Sequence, residues 1–408
     1  MAIPCWFMRG GTSRGPFFRA TDLPSDPGAR DAVLLAAMGS PDPRQIDGLG
    51  GAAPLTSKVG IVGHSDRADA DLDFRFAQLQ PDSDVVDTTA NCGNMLAAVV
   101  PFAVESGLLA PRGDTTTARV HTLNTGLTAE ITVATPRDGT GPGRHVAYVG
   151  DTHIDGVPGT AAPVTVNFLD TAGSVCAALL PTGRARDRVT VEGVGIIEVT
   201  CIDNGQPLVI IDAADLGRTG AESVAALNAD TELQGRLEGL RLACGALMGL
   251  GDVTSKNYPK MTLVAPGTHG GTISTRSFIP HVCHESIGVL AAVTVATACV
   301  LDGTVAHAKA TGAKADRAPD NAADNAAPAA ITVSVEHPAG EFSVELGLEP
   351  GAGEGEPPRV TRSALVRTAR LIMAGDVLVP GHLVPGHLVP GHLHPGHLYA
   401  TSPEEPQR

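Results

Sequence analysis

Asn91-Cys92-Gly93-Asn94, followed at once by Met95-Leu96-Ala97-Ala98-Val99-Val100, is the stretch on which the reading of this chain turns. Small and polar residues run without a spacer into an apolar segment, which predicts a buried helix over about 91–106. At a helix start the unpaired N–H groups favour a thiolate or a substrate carboxylate. The plainer reading makes Cys92 a small core residue beside turn-forming neighbours. The surrounding sequence decides between the two.

Working outward, strands are expected at 3–8, 16–18, 58–62 and 71–80 before this helix. A helix over 31–38 interrupts them, and strands at 118–123, 127–134, 164–168 and 189–191 follow. Near Leu180-Pro181-Thr182-Gly183 the pattern restarts. Strands at 196–202 and 208–212, helices at 222–228 and 232–249, and strands at 261–265 and 274–279 lead to His281-Val282-Cys283-His284-Glu285-Ser286. A second Ala/Val-rich helix over 287–301 comes next, and strands at 331–335 and 342–346 close the fold. Each half thus holds strands, a small polar turn and an apolar helix, which predicts two similar α/β halves facing each other.

The chain has 408 residues, more than one ordinary core accommodates. Only 3% are aromatic, so Val, Leu, Ile and Ala must build the interior. A net charge of −15 argues against nucleic acid as a partner, yet leaves room for a local cationic cleft. The seven cysteines form no CxxC pair, which predicts reduced thiols in a cytoplasmic protein. No apolar run is long enough for a membrane span. Residues 308–330 read as a flexible insertion and 379–408 as a disordered tail carrying VPGHL repeats. The tail's histidines could hold a metal, but a repeat expansion beyond the fold is the better reading, and no metal is expected.

Four glycine-bordered or polar segments could carry chemistry. Arg9-Gly10-Gly11-Thr12-Ser13-Arg14-Gly15 lacks the spacing of a nucleotide phosphate loop, but such a loop can cradle a carboxylate or serve as an ordinary turn. In Ser57-Lys58, the lysine opens an apolar strand. Pointing inward it would be a base, and at a strand edge merely solvated. The cysteine motif is the third. In the fourth, His281 and His284 flank Cys283 without zinc-site spacing; Arg276 reads better as a carboxylate fork, with His281, His284 and Ser286 as substrate donors.

At these residues the chain resembles a known family. Met8-Arg9-Gly10-Gly11-Thr12-Ser13, Gly48-Leu49-Gly50-Gly51, Thr56-Ser57-Lys58 and Asn91-Cys92-Gly93-Asn94 look like the PrpF-type isomerases, which share the diaminopimelate epimerase fold. The strings at 38–48 and 276–281, with Asp252-Val253-Thr254 and Ser286-Ile287-Gly288-Val289, are similar to the 4-oxalomesaconate tautomerase (GalD-like) branch of gallate breakdown.

The resemblance implies an α/β (α+β) fold of two pseudo-symmetric domains, each a mixed β-sheet wrapped around a central helix. On this reading they span 1–183 and 184–378, with a substrate between them. It further implies proton transfer without a cofactor on a di- or tricarboxylate; the sequence does not give the oligomeric state, and a homodimer is one candidate. Lys58 matches the family's base and Cys92 its thiol; Arg9, Gly11, Thr12, Ser13, Ser57, Asn91, Gly93, Asn94, Arg276, His281, His284 and Ser286 are expected around the substrate. Arg14 stands where the family usually has lysine, and the second half has no thiol matching Cys92, so a symmetric two-cysteine mechanism is not expected. Related isomerisation of 2-methylaconitate, allylic double-bond migration and simple tricarboxylate binding are the alternatives.

Overall fold

A computed structural model describes residues 1–89, 91–137, 143–191, 195–312, 314–315, 331–349 and 359–380 of the chain. The tail from 381 onward, and the insertion apart from 308–312 and 314–315, lie outside the described residues.

In the first half the elements are β1 (Ala2–Gly10), β2 (Ser13–Arg19), α1 (Pro27–Met38), β3 (Lys58–His64), β4 (Leu72–Leu79) and β5 (Val86–Asp87). The broken helix α2 (Gly93–Leu96) and α3 (Val99–Glu105) follows, then β6 (Thr115–Thr122), β7 (Thr128–Ala134) and β8 (Pro163–Phe168). The second half begins with β9 (Asp187–Val191), β10 (Gly195–Asp203), β11 (Pro207–Asp212), α4 (Val224–Asn228) and α5 (Thr231–Leu247). Next come β12 (Lys260–Pro266), β13 (Ile273–Ile279), β14 (Val282–Cys283), α6 (Val289–Val300) and α7 (Val305–Lys309). It ends with β15 (Lys314–Ala315), β16 (Ile331–His337), β17 (Gly340–Glu349) and the 20-residue β18 (Arg359–Leu378).

The pairing pattern repeats. Antiparallel β1–β2, parallel β2–β3, antiparallel β3–β4, parallel β4–β6 and antiparallel β6–β7–β8 make the first half. The second has antiparallel β10–β11, parallel β11–β12, antiparallel β12–β13, parallel β13–β16 and antiparallel β16–β17–β18. These are two pseudo-symmetric mixed sheets, each wrapped around a central helix: α2–α3 in one, α6 in the other. Strand β18 crosses any chain-wise division at 183, because Ala364–Thr368 pair with β8 while the following residues pair with β1. That contact closes β1-β2-β3-β4-β6-β7-β8-β18 into a barrel and leaves it no free edge.

Strand parity sorts the side chains. On β3, Val62 faces the central helix, whereas Val59 and Ile61 pack under α1. On β12, Val264 faces α6, whereas Met261 and Leu263 pack under α5. Residues of α2–α3 and α6 share one apolar cluster, so the two halves bury a common interior. Phe102 of α3 is fully buried, its ring 5.4 Å from Trp6 and 5.6 Å from Phe17; a side chain of this size gains about 1.5–3 kcal/mol from burial.

The single helix expected over 91–106 is broken at Ala97–Ala98. Pro101 explains the break: it has no N–H for the Ala97 carbonyl, and its ring crowds that group. Two tail and insertion boundaries also move. Ala308 and Lys309 finish α7, and Val379, expected in the tail, is buried with its N–H on the Met1 carbonyl at 2.8 Å. Among the described residues no helix is long and apolar enough to cross a membrane.

Candidate active site

Both central helices begin at a cleft of about 1200 Å³ between the halves. Thr12 and residues 91–94 line it from the first half; Tyr258, Lys260, residues 284–291 and His337 line it from the second. The helix starts almost touch: a methyl on Gly93 would stand 2.7 Å from Val289 Cγ2, so only glycine lets α2 and α6 approach this closely.

The first wall is a loop locked onto the cysteine motif. Gly11 takes φ 51° and donates its N–H to the Thr368 carbonyl at 2.9 Å. A methyl there would lie 2.2 Å from Asn94 Oδ1. Asn94 Nδ2 in turn donates to Thr12 Oγ1 at 2.9 Å. Asn91 Nδ2 donates to Thr122 Oγ1 at 3.0 Å and also to Thr125. Cys92, a free and half-buried thiol, is the extended residue that starts α2, and its carbonyl accepts the Leu96 N–H. On either side of it the amide oxygens of Asn91 and Asn94 are buried and, among the described residues, have no hydrogen-bond partner. A polar atom that stays buried without a partner costs about 1–3 kcal/mol, so a donor brought by a ligand would be favoured here.

On the second wall, the Ser286 N–H donates to His284 Nδ1 at 2.8 Å, and the Ala339 N–H donates to His337 Nδ1 at 3.2 Å. Neutral His284 and His337 therefore carry their proton on Nε2. His337 Nε2 lies 3.4 Å from Ser286 Oγ. Burial, then the Arg367 guanidinium, pushes His337 down to about 4. Burial, then Lys260, also lowers His284. Both rings are neutral donors at neutral pH.

An acid sensitivity follows. Between its ordinary 6.5 and the folded value of about 4, His337 binds a proton in the unfolded chain and not in the folded one. Its contribution to stability is complete above about 6.5 and disappears as pH falls toward about 4. Thermal melting followed across this window should show the midpoint dropping with pH, and less steeply in His337→Gln; equal slopes would exclude His337 as the cause.

The cleft gathers Thr12, Asn91, Cys92, Gly93, Asn94, His284 and Ser286 from the expected set and leaves out the rest of it. Arg9 is committed to the loop, with Nη1 donating to the Gly11 carbonyl at 2.8 Å and to Thr368 at 3.0 Å. Gly11 and buried Ser13 support the wall without lining it. Ser57, one position off the inward parity of β3, donates to Gln45 Oε1 at 2.8 Å. Arg276 sits opposite Leu263 on the face under α5, where Nε donates to the Glu222 carbonyl at 2.9 Å; it is not a carboxylate fork. His281 is exposed, 2.9 Å from Glu238 on α5, so it shares no site with His284.

Lys58 is 8% exposed and faces inward with Val62, but it does not line the cleft in this conformation. Its Nζ donates to Gln78 Oε1 at 2.5 Å and lies 5.0 Å from the Phe76 ring centroid. Lys260 and His337 were missed by sequence reasoning. A signal for Lys260 existed, since it opens an apolar strand as Lys58 does. His337 had none, because only the fold carries the end of β16 to the cleft.

Comparison with known proteins agrees with this architecture. The PrpF protein family matches residues 1–380. The chain is 52% identical to the 4-oxalomesaconate tautomerase of Pseudomonas putida, covering 92% of this chain and 96% of that one. It is 50% identical to the (4E)-oxalomesaconate Delta-isomerase of Novosphingobium sp., covering 93% and 98%. The crystal structure of a methylitaconate-delta-isomerase superposes with a TM-score of 0.78 at 33% identity, covering 97% of this chain and 99% of that one. With the family match spanning both halves and the cleft, the chain belongs to the PrpF family.

Proposed function

We propose that this protein catalyses the keto–enol tautomerisation of 4-oxalomesaconate, by proton transfer among its own side chains and without a cofactor. Its assignment as an isomerase rests on relatives of that class at 50–52% identity over almost their whole length. The observation that carries the substrate and chemistry is the cleft itself. A thiol, polar donors and the Lys260 ammonium converge between the two halves, as proton abstraction beside a carbonyl requires.

In the step we propose, Lys58 as the free amine takes a proton from the carbon next to the ketone. The C–H electron pair becomes the new C=C bond, and the carbonyl π pair moves onto oxygen. That oxygen is reprotonated from the Cys92 thiol, and the Lys58 ammonium returns a proton to the thiolate. Nothing is oxidised or reduced, and the proton count is unchanged. Lys58 suits this role by its place on the inner face of β3, where Gln78 Oε1 accepts from its Nζ. In this reading the N–H and O–H groups of Asn94, Ser286 and the two histidines, which line the cleft, stabilise the enolate.

The test compares turnover of 4-oxalomesaconate, followed by ultraviolet absorbance, with turnover of 2-methylaconitate. Tautomerisation with solvent deuterium entering the carbon, and far slower conversion of 2-methylaconitate, is expected. Preference for 2-methylaconitate would move the protein to another branch of its family, and binding without deuterium entry would remove catalysis altogether.

A further inference from the structure

Lys260 is the first residue of β12, and Lys58 is the first residue of β3. The repeat in strand pairing makes these strands equivalent, since each is parallel to the strand before it and antiparallel to the one after. Parity makes the two side chains equivalent as well. Lys260 shares its face with Thr262 and Val264, and Val264 belongs to the cluster around the central helices. The thiol is not repeated: the residue that caps the start of α6 is Gly288, where Cys92 caps the start of α2. The site therefore has one sulfur and two inward-facing lysines, one from each half.

Their surroundings differ. Lys58 is held by Gln78 and Phe76. Lys260 lines the cleft, half-buried, and among the described residues its ammonium makes no hydrogen bond or ion pair. Glu285, a carboxylate on the same wall, is exposed and forms no ion pair with it. Gly288, at the start of α6, keeps the space beside the ammonium open: a methyl there would be 3.8 Å from Nζ. An ammonium taken out of water without a counter-charge is unfavourable, and a bound anion removes the penalty.

We infer that the Lys260 ammonium is a carboxylate anchor of the active site, holding an anionic end of the substrate from the second half while Lys58 and Cys92 act from the first. Burial lowers Lys260 below the ordinary lysine value, as an ammonium waiting for an anion should be. The inference rests on the tautomerase reading only for which carboxylate is held.

Titration of the wild type with tricarballylate, a tricarboxylate with no ketone to enolise, tests the anchor separately from the chemistry. Lys260→Met is expected to bind it on the order of 10- to 100-fold more weakly, and Lys260→Arg to recover most of the affinity. For turnover of 4-oxalomesaconate, Lys260→Met should raise KM more than it lowers kcat, the opposite of what Lys58→Met does. Lys260→Gln replaces the Met variant if the latter unfolds. Equal tricarballylate affinity in the wild type and the charge-free variant, at unchanged melting temperature, overturns the anchor, as does absence of binding to the wild type. A wild type that binds tricarballylate but tautomerises nothing defeats the tautomerase reading, while the affinity comparison still decides Lys260.

Discussion

Lys58→Met is expected to lower the turnover of 4-oxalomesaconate by about 100- to 10,000-fold, the usual contribution of one positioned acid or base. The substitution keeps a long flexible stem on the inner face of β3 and removes the only atom that can take a proton. Its main structural loss is the bond to Gln78 Oε1, which lies near the cleft end of the strand rather than in the core. Melting temperature and tricarballylate binding should stay near those of the wild type, so that the fall is read in kcat. Exchange of substrate hydrogen with deuterated solvent should fall with it, because the amine is the group that breaks the C–H bond. Cys92→Ala should also slow net turnover. It should spare exchange at the carbon more than Lys58→Met does, since in the proposed step the thiol serves the oxygen. Wild-type rates in both variants would sink the mechanism.

Much of the architecture was legible because each half repeats the same grammar. Strands of alternating or continuous apolar residues end in small polar turns, and each turn opens an Ala/Val-rich helix. The cysteine turn was legible because small polar residues run directly into an apolar segment, which marks a buried helix start. Ser57 and Arg276 misled for one physical reason. A strand reverses its side chains at every residue, and a motif does not reveal which parity faces the ligand. Only the register of Arg276 against Leu263 shows that it belongs to the outer layer. Strand β18 escaped notice because it serves two sheets in succession. Arg362, Arg367, Arg370 and Asp376 interrupt its apolar run, and its later residues stay largely exposed although paired with β1. Lys260 was hidden by its neighbours, since the lysine lies in a strand with no adjoining glycine loop. Its meaning comes from equivalence with Lys58, which is a property of the topology.

Gly15→Ala is expected to disable the enzyme from outside the cleft. Gly15 sits in β2, opposite Met8 of β1, and its missing side chain lets the backbone of β3 pass. A methyl there would stand 1.7 Å from the Lys58 carbonyl oxygen, so the atom that must give way is backbone and has no rotamer to change. The β2–β3 pairing has to open at the residue that carries the base. Overpacking of this kind destabilises by about 1–3 kcal/mol. A displacement of Lys58 by about 1 Å would cost on the order of 100-fold in rate. The activity loss should therefore exceed what the residual folded fraction explains, measured as kcat on protein shown to be folded by its melting curve. Gly235→Ala is the matched control: it lies within α5 with nothing inside 4 Å of the added methyl. Alanine there gains helix propensity, about 1 kcal/mol, and should leave turnover unchanged. A Gly15→Ala protein with the melting temperature and kcat of the wild type would show that the approach of β2 to Lys58 is dispensable, and with it the claim that strand packing sets the position of the base.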